Sequence, residues 1–361
     1  MMIDLIAGAR PNFMKIAPII DALENCKSNV NCIAYRLIHT GQHYDANMSE
    51  SFFKQLGIPE PDINIRAGGG SQAEQTGAIM IGYEKALIDK KSDICLVVGD
   101  VTSTMACSIV ARKMGVNVAH VEAGIRSGDW SMPEEINRIV TDSLTNLFFT
   151  TSIAANENLL KCGVKESTIY FVGNTMIDTL LKNMNYFQKP HIWDLIGLKE
   201  HNYIVLTLHR PSNVDEENTL KAMLGTIIKN SRGIPLVFPV HPRTARILSR
   251  LGIEAKNLYT TEPMSYLEFN YLVQRAKAVL TDSGGITEET TVMGVPCMTL
   301  RDNTERPETI TIGTNELLGT DTKNIYPAME KLFEGKWKTG SIPDKWDGKA
   351  SQRIVDVLIS R

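Results

Sequence analysis

The feature that most constrains this chain is a repeated unit: a short apolar run, a turn carrying glycine or charge, then a stretch of helix length. MIDLIAG at 2–8, YRLIH at 35–39, CLVVGD at 95–100, VAHVE at 118–122, LFFTTS at 147–152 and IYFVG at 169–173 all read as strands of this kind. So do YIVLTLH at 203–209, IPLVFPV at 234–240, LYT at 258–260, AVLT at 278–281 and PCMTLR at 296–301. Apolar runs of this length, alternating with helical segments, predict a parallel sheet covered by helices on both faces, the α/β class. Helices are expected over 16–25, 49–56, 72–88, 102–114, from 133, up to 161, over 265–275 and in the tail after Trp346. In the one at 72–88, Ile79, Tyr83, Ala86 and Leu87 have core-facing spacing.

The turns carry the chemistry. LTDSGGITEE at 280–289 joins a strand, a Gly284-Gly285 turn and a helix ending near Gly294. A helix that starts there aims free N–H groups and a positive dipole end above the strand, which favours an anion such as phosphate. Many helices begin this way and bind nothing. The surroundings strengthen the anion reading, because Arg306 follows in a polar loop, DNTERPE at 302–308. Glu288 and Glu289 could reach a ribose hydroxyl or merely complement the dipole.

Strand one ends in Gly8-Ala9-Arg10-Pro11 with Lys15 beyond, and the strand at 203–209 ends in His209-Arg210-Pro211. The repetition suggests two similar domains facing each other, joined by the more polar stretch at 183–201. Asp100 and Glu122 close two neighbouring strands, where an open α/β sheet gathers its ligand. Strand alternation would put His120 on the same face as Glu122. Asp100 reads equally as a helix N-cap, since Thr102, Ser103 and Thr104 follow it. Glu134 and Arg138 are spaced for an i,i+4 pair worth about 0.2–0.5 kcal/mol.

At 361 residues the chain can build two cores, and a net charge of −3 argues against general nucleic-acid binding. The six cysteines form no CxxC pair, which fits a reducing compartment. His39 and His43 are separated by Gly41, which argues against a shared helical metal face, and no metal or redox cofactor is expected. The N-terminal run is too short for a signal peptide and no span is long enough for a membrane, so a cytoplasmic protein is expected.

In order and spacing, GARPNFMK (8–15), TGQH (40–43), GDVTST (99–104), HVEAGIRSGD (120–129), PEEINR (133–138), LHRP (208–211), DSGGITEE (282–289) and RDNTERPE (301–308) resemble the non-hydrolysing UDP-N-acetylglucosamine 2-epimerases. The resemblance covers nearly the whole chain. It implies the GT-B architecture: two Rossmann-like doubly wound α/β domains facing a central cleft, with a C-terminal helix crossing back to the first. The implied domains are 1–180, which holds the sugar and the catalytic carboxylates, 181–345, which binds UDP, and a terminal helix at 346–361. The activity implied is interconversion of UDP-N-acetylglucosamine and UDP-N-acetylmannosamine for surface polysaccharide, through elimination of UDP, a 2-acetamidoglucal and re-addition.

The resemblance places Asp100, Glu122 and Glu134 as catalytic carboxylates, with His209 at the departing UDP. Arg10, Lys15, Ser283, Gly284, Gly285 and Arg306 would bind substrate, and Glu289 the ribose. A homodimer is implied. Gln42, Arg210 and His241 match an activator site for a second nucleotide sugar. That site's second glutamine is Asp45 here, and an acid facing a pyrophosphate argues against activation. The segment TGQHYDANMS at 40–49 is also similar to members acting on diacetamido uronic acid or deoxy-sugar derivatives. A glycosyltransferase using the same phosphate loop is the competing class; three carboxylate motifs in the first half argue against it.

Overall fold

The computed structural model describes residues 1–26, 33–41, 56–240 and 242–361. The chain forms two compact units, one of Met1–Leu181 with Asp344–Arg361 and one of Lys182–Pro343. In the first, strands β1 (Met2–Ala7), β2 (Ala34–His39), β3 (Ile63–Asn64), β4 (Ile94–Val98), β5 (Asn117–Val121), β6 (Leu147–Thr150) and β7 (Ile169–Phe171) build one sheet. Its order is β3-β2-β1-β4-β5-β6-β7 and every pairing is parallel. β4 is buried along its whole length, as a strand covered on both faces must be. On one face lies the helix Gln72–Asp89, opened by a Ser71–Glu74 capping box. Ile79, Tyr83, Ala86 and Leu87, the four residues expected to face inward, join Cys95, Val97 and Val118 in the core.

The second unit holds β8 (Ile204–Thr207), β9 (Leu236–Pro239), β10 (Leu258–Thr261), β11 (Ala278–Thr281), β12 (Cys297–Thr299) and β13 (Asn315–Leu317). Their order is β10-β9-β8-β11-β12-β13, again all parallel. Apart from β7 the two sheets share one topology: third, second, first, fourth, fifth, sixth. The direction of winding reverses between β1 and β4, and again between β8 and β11. In such sheets the crevice beyond the strand ends at the reversal is where ligands collect. Gly8 and Gly99 lie at the first reversal, His209 and Asp282 at the second.

The terminal helix Ala350–Ile359 belongs to the first unit and packs on the helix Arg10–Cys26. It brings no cap of its own: Asp178 accepts Ala350 N at 3.1 Å and Ser351 N at 2.7 Å. Trp346 is buried and donates Nε1–H to the Thr151 carbonyl at 3.0 Å. Gly173 is needed beneath this segment, since it has φ +97° and a Cβ there would lie 2.0 Å from the Lys345 carbonyl oxygen.

Three expectations change. The first helix starts at Arg10 rather than near residue 16, the 302–308 loop is interrupted by a helix at Pro307–Thr311, and β3 and β13 were not anticipated. The helix expected over 49–56 lies outside the described residues except for Leu56. Among the described residues no helix is long and apolar enough to cross a membrane.

Candidate functional site

At the first reversal, β1 stops at Ala7 and the chain turns in two residues. Asn12 closes the turn: its Oδ1 accepts Gly8 N at 3.0 Å and Ala9 N at 2.9 Å, and its Nδ2 donates to the Val98 carbonyl at 2.9 Å. Pro11 fits the first helical turn because the N–H it lacks would have no partner there. The early helix start carries Lys15 out of a loop and into the interior, where its Nζ lies 2.7 Å from Glu122 Oε2.

Glu122 stands one residue past β5 with φ +70°, so its direction is set by that left-handed turn and not by strand alternation. A side chain rarely adopts this conformation unless its surroundings over-determine it. Gly99, at φ +67°, leaves the space the ion pair fills: a Cβ there would lie 2.8 Å from Lys15 Nζ and 3.8 Å from Glu122 Oε2. Asp100 follows at once and is about a third exposed, with Oδ2 3.2 Å from Arg138 Nη1. It does not cap the helix Thr102–Lys113, whose N-cap is Val101.

The helix Pro133–Leu144 organises the surrounding loop. Asn137 Nδ2 donates to the Asp100 carbonyl at 2.8 Å, and Arg138 Nε lies 3.1 Å from Glu135 Oε2. Glu135 in turn accepts Ser127 N at 2.9 Å and Gly128 N at 3.1 Å. The expected Glu134–Arg138 pair does not form. A buried guanidinium needs carboxylates that share its burial or stand beside it, and Arg138 turns to Glu135 and Asp100. Glu134 stays exposed, one turn before Asn137 and Arg138 on their side of the helix. Behind Gly99, the buried His120 ring lies between Asp142 Oδ1, 2.7 Å from Nδ1, and the Gly99 carbonyl, 2.8 Å from Nε2.

At the second reversal Asp282 is fully buried and collects donors. It accepts His209 N at 3.1 Å, Arg210 N at 3.0 Å and Asn213 Nδ2 at 3.1 Å, and His209 Nδ1 lies 2.7 Å from Oδ1. Burial alone would raise this carboxyl; the histidine and the two backbone N–H groups outweigh it and hold Asp282 below the usual carboxylate range. The His209 side chain is 60% exposed, and with Nδ1 engaged it presents Nε2 outward.

The helix Gly284–Met293 starts immediately after. Its N-cap Ser283 makes no side-chain cap bond, so the N–H groups of the first turn face outward without an intrahelical acceptor. This helix start, expected from the sequence to favour an anion, lies at the reversal point of its sheet.

The acids further along this helix are less open than expected. Glu288 Oε1 lies 2.5 Å from Arg306 Nε. Glu289 Oε1 accepts the Tyr266 hydroxyl at 2.9 Å, and burial, helped by repulsion from Glu288, pushes Glu289 up to about 7. Arg210 reaches the Asp282 carbonyl through Nε at 3.2 Å and has Glu305 3.5 Å from Nη2. Gln42 and His241 lie outside the described residues, as does the Arg10 side chain. Among the described residues no cluster of His, Cys, Asp or Glu is arranged to hold a metal ion.

Sequence reasoning missed Asn12, Asp142, Asn213, Asp282 and the ties of Arg138. The available signal was an asparagine just beyond each Arg-Pro turn, at 12 and at 213.

The family model described as UDP-N-acetylglucosamine 2-epimerase matches residues 26–359. The UDP-N-acetylglucosamine 2-epimerase of Methanocaldococcus jannaschii is 39% identical over 99% of this chain and 99% of its own. The UDP-2,3-diacetamido-2,3-dideoxy-D-glucuronate 2-epimerase of Pseudomonas aeruginosa is 37% identical, also over 99% of each. The crystal structure of the Methanocaldococcus enzyme in complex with UDP-GlcNAc and UDP matches with a TM-score of 0.89 at 39% identity, over 100% of both chains. That of the Neisseria meningitidis UDP-GlcNAc 2-epimerase bound to UDP-GlcNAc gives 0.90 at 29% identity, again over 100% of both.

Proposed function

Because the chain belongs to the UDP-N-acetylglucosamine 2-epimerase family, we propose that it interconverts UDP-N-acetylglucosamine and UDP-N-acetylmannosamine. The observation that carries this is the pair of carboxylates, Asp100 and Glu122, at neighbouring strand ends, each beside a buried cation. The proton on C2 is not adjacent to a carbonyl and is barely acidic, so direct removal and return would be very slow. Elimination avoids that barrier: a carboxylate takes the C2 proton while the C1–O bond to UDP breaks, leaving 2-acetamidoglucal and UDP. Delivery of a proton to the opposite face, with return of UDP to C1, completes the inversion.

Asp100 and Glu122 handle the C2 proton, with Lys15 and Arg138 fixing their positions and Glu134 orienting the sugar or joining the relay. Charge builds on the leaving phosphate, where preorganised donors stabilise a transition state most. The first turn at Gly284 and Gly285 supplies N–H donors beside the Ser283 hydroxyl, His209 Nε2 supplies the acid, and Arg10 and Arg306 complete the cationic side. Glu289 takes the ribose. A homodimer accompanies this reading, to be checked by sedimentation equilibrium.

A second reading has one specific support, the Pseudomonas relative: the substrate is the 2,3-diacetamido uronic acid derivative of UDP. Incubation in deuterated water with each UDP-sugar, followed by NMR, tests both. Deuterium at C2 with appearance of the C2 epimer identifies the substrate, and absence of exchange with every UDP-sugar refutes the proposal.

A further inference from the structure

His120 has no exposure at all, and both its ring nitrogens are engaged. Its Nε2 lies 2.8 Å from the Gly99 carbonyl oxygen, which can only accept, so Nε2 carries a proton. On the other side, Asp142 Oδ1 lies 2.7 Å from Nδ1. The second oxygen of Asp142 takes the Arg126 guanidinium at 2.6 Å and Gly124 N at 3.1 Å. Burial would raise this carboxyl, but its bonds to His120 and Arg126 hold it below the usual range. An ionised Asp142 accepts at both oxygens, so Nδ1 must donate as well.

The Gly99 peptide has reason to need such a partner. Gly99 has no side chain to fix it and sits at φ +67°. Its N–H is held by the Val121 carbonyl at 3.0 Å, and the Asp100 carbonyl by Asn137. Between those two fixed points, the carbonyl of Gly99 sets the peptide plane from which Asp100 departs, and the ring of His120 holds it. The charged groups around this point are Asp142 and Arg126 behind the ring, Lys15 and Glu122 over Gly99, and Arg138 beside Asp100.

We propose that His120 is a buried imidazolium and a positioning residue: it braces the Gly99 carbonyl and thereby aims the Asp100 carboxylate at the reacting carbon. The role in catalysis rests on the epimerase reading; the charge state of the ring does not.

Two measurements test it. In protein labelled with ¹⁵N-histidine, with His120→Gln used for assignment, both ring nitrogens of His120 should carry protons at neutral pH, as the acceptors on either side of the ring require. The His120→Gln variant offers one amide nitrogen where two donors on opposite sides are needed. Its kcat should fall about 10²-fold, the scale of a misplaced catalytic group, with KM unchanged. Asp142→Asn should retain the bond to Gly99 while Nδ1 loses its proton, and its kcat should fall less.

A bare Nδ1 at neutral pH in the wild-type protein would overturn the proposal whatever the variants do. So would wild-type kcat in folded His120→Gln. Failure of C2 exchange in the wild type instead removes the epimerase reading and leaves the ring measurement standing.

Discussion

Each unit carries a histidine–aspartate pair, one behind Gly99 on β5 and one at the reversal of the second sheet, with the ring Nδ1 2.7 Å from the carboxylate in both. At His120 and Asp142 the ring is wholly buried and its second nitrogen is used on a backbone carbonyl. At His209 and Asp282 the ring is largely exposed and no described residue meets its second nitrogen. On the roles proposed above, the same pair serves as a brace where burial supplies a second acceptor, and as an acid where the second nitrogen is left to substrate. The turns differ in the same sense. The neutral Asn12 amide receives the two backbone N–H groups at Gly8 and Ala9, whereas at His209 and Arg210 the receiver is the ionised Asp282.

The comparison can be broken most directly at the carboxylates. Asp100→Asn and Glu122→Gln should each lower kcat by about 10⁴-fold while calorimetry finds UDP affinity intact, since the proposed anion site lies on the other sheet. A matching loss of UDP affinity would show that the division of labour is wrong.

Next in size, His209→Gln should cost about 10³-fold in kcat, measured at saturating UDP-sugar. If it costs no more than His120→Gln, the distinction between brace and acid fails.

The buried glutamates sharpen the contrast further. Glu122 has Lys15 beside it, while Glu289 has the neutral Tyr266 hydroxyl and Asn270 side chain and a folded value near 7. A carboxyl raised on folding adds stability that is complete below its unfolded value and is lost as pH rises through the folded one. Between roughly pH 5 and pH 8, denaturant titrations should therefore show the wild type losing on the order of 3 kcal/mol relative to Glu289→Gln. Parallel curves for the two proteins would mean that Glu289 is ionised at little cost. Smallest is Asn12→Ala, which strands the N–H groups of Gly8 and Ala9; a loss of about 1–3 kcal/mol in unfolding free energy is expected, with UDP affinity unchanged.

The strands were legible because those covered on both faces read as unbroken apolar runs, as in Ile94–Val98 and Ala278–Thr281. The two that escaped lie at sheet edges and are only two and three residues long, with polar content, as in Asn315–Leu317. Pro11 looked like a loop residue because nothing local shows that Asn12 turns back to accept from Gly8 and Ala9. The glycine turn at 284–285 was readable as a helix start, and it lies where the sheet reverses.

Its neighbour Asp282 was not singled out, since its donors come from a turn more than seventy residues earlier. Lys15 and Glu122 are likewise 107 positions apart, brought together by strand order alone. Whether Asp100 caps the helix that follows it had no local answer: the N-cap is Val101, and the Asp100 carboxylate is turned instead to Arg138, 38 positions further along the chain.

The return of the terminal helix to the first unit also has a consequence in time. The second unit is a continuous stretch, Lys182–Pro343, inserted between the two parts of the first. On a ribosome adding about 5–20 residues per second, the unit that begins first must wait roughly ten to thirty seconds for its last piece. Throughout that interval Asp178 has no Ala350 or Ser351 to cap, and the seat that will receive Ile354, Val355 and Leu358 stays uncovered. The inserted half can finish while the enclosing half is still open. Nascent chains caught in that window carry the exposed apolar surface that chaperones recognise, and a fusion or truncation at the carboxyl end prolongs it.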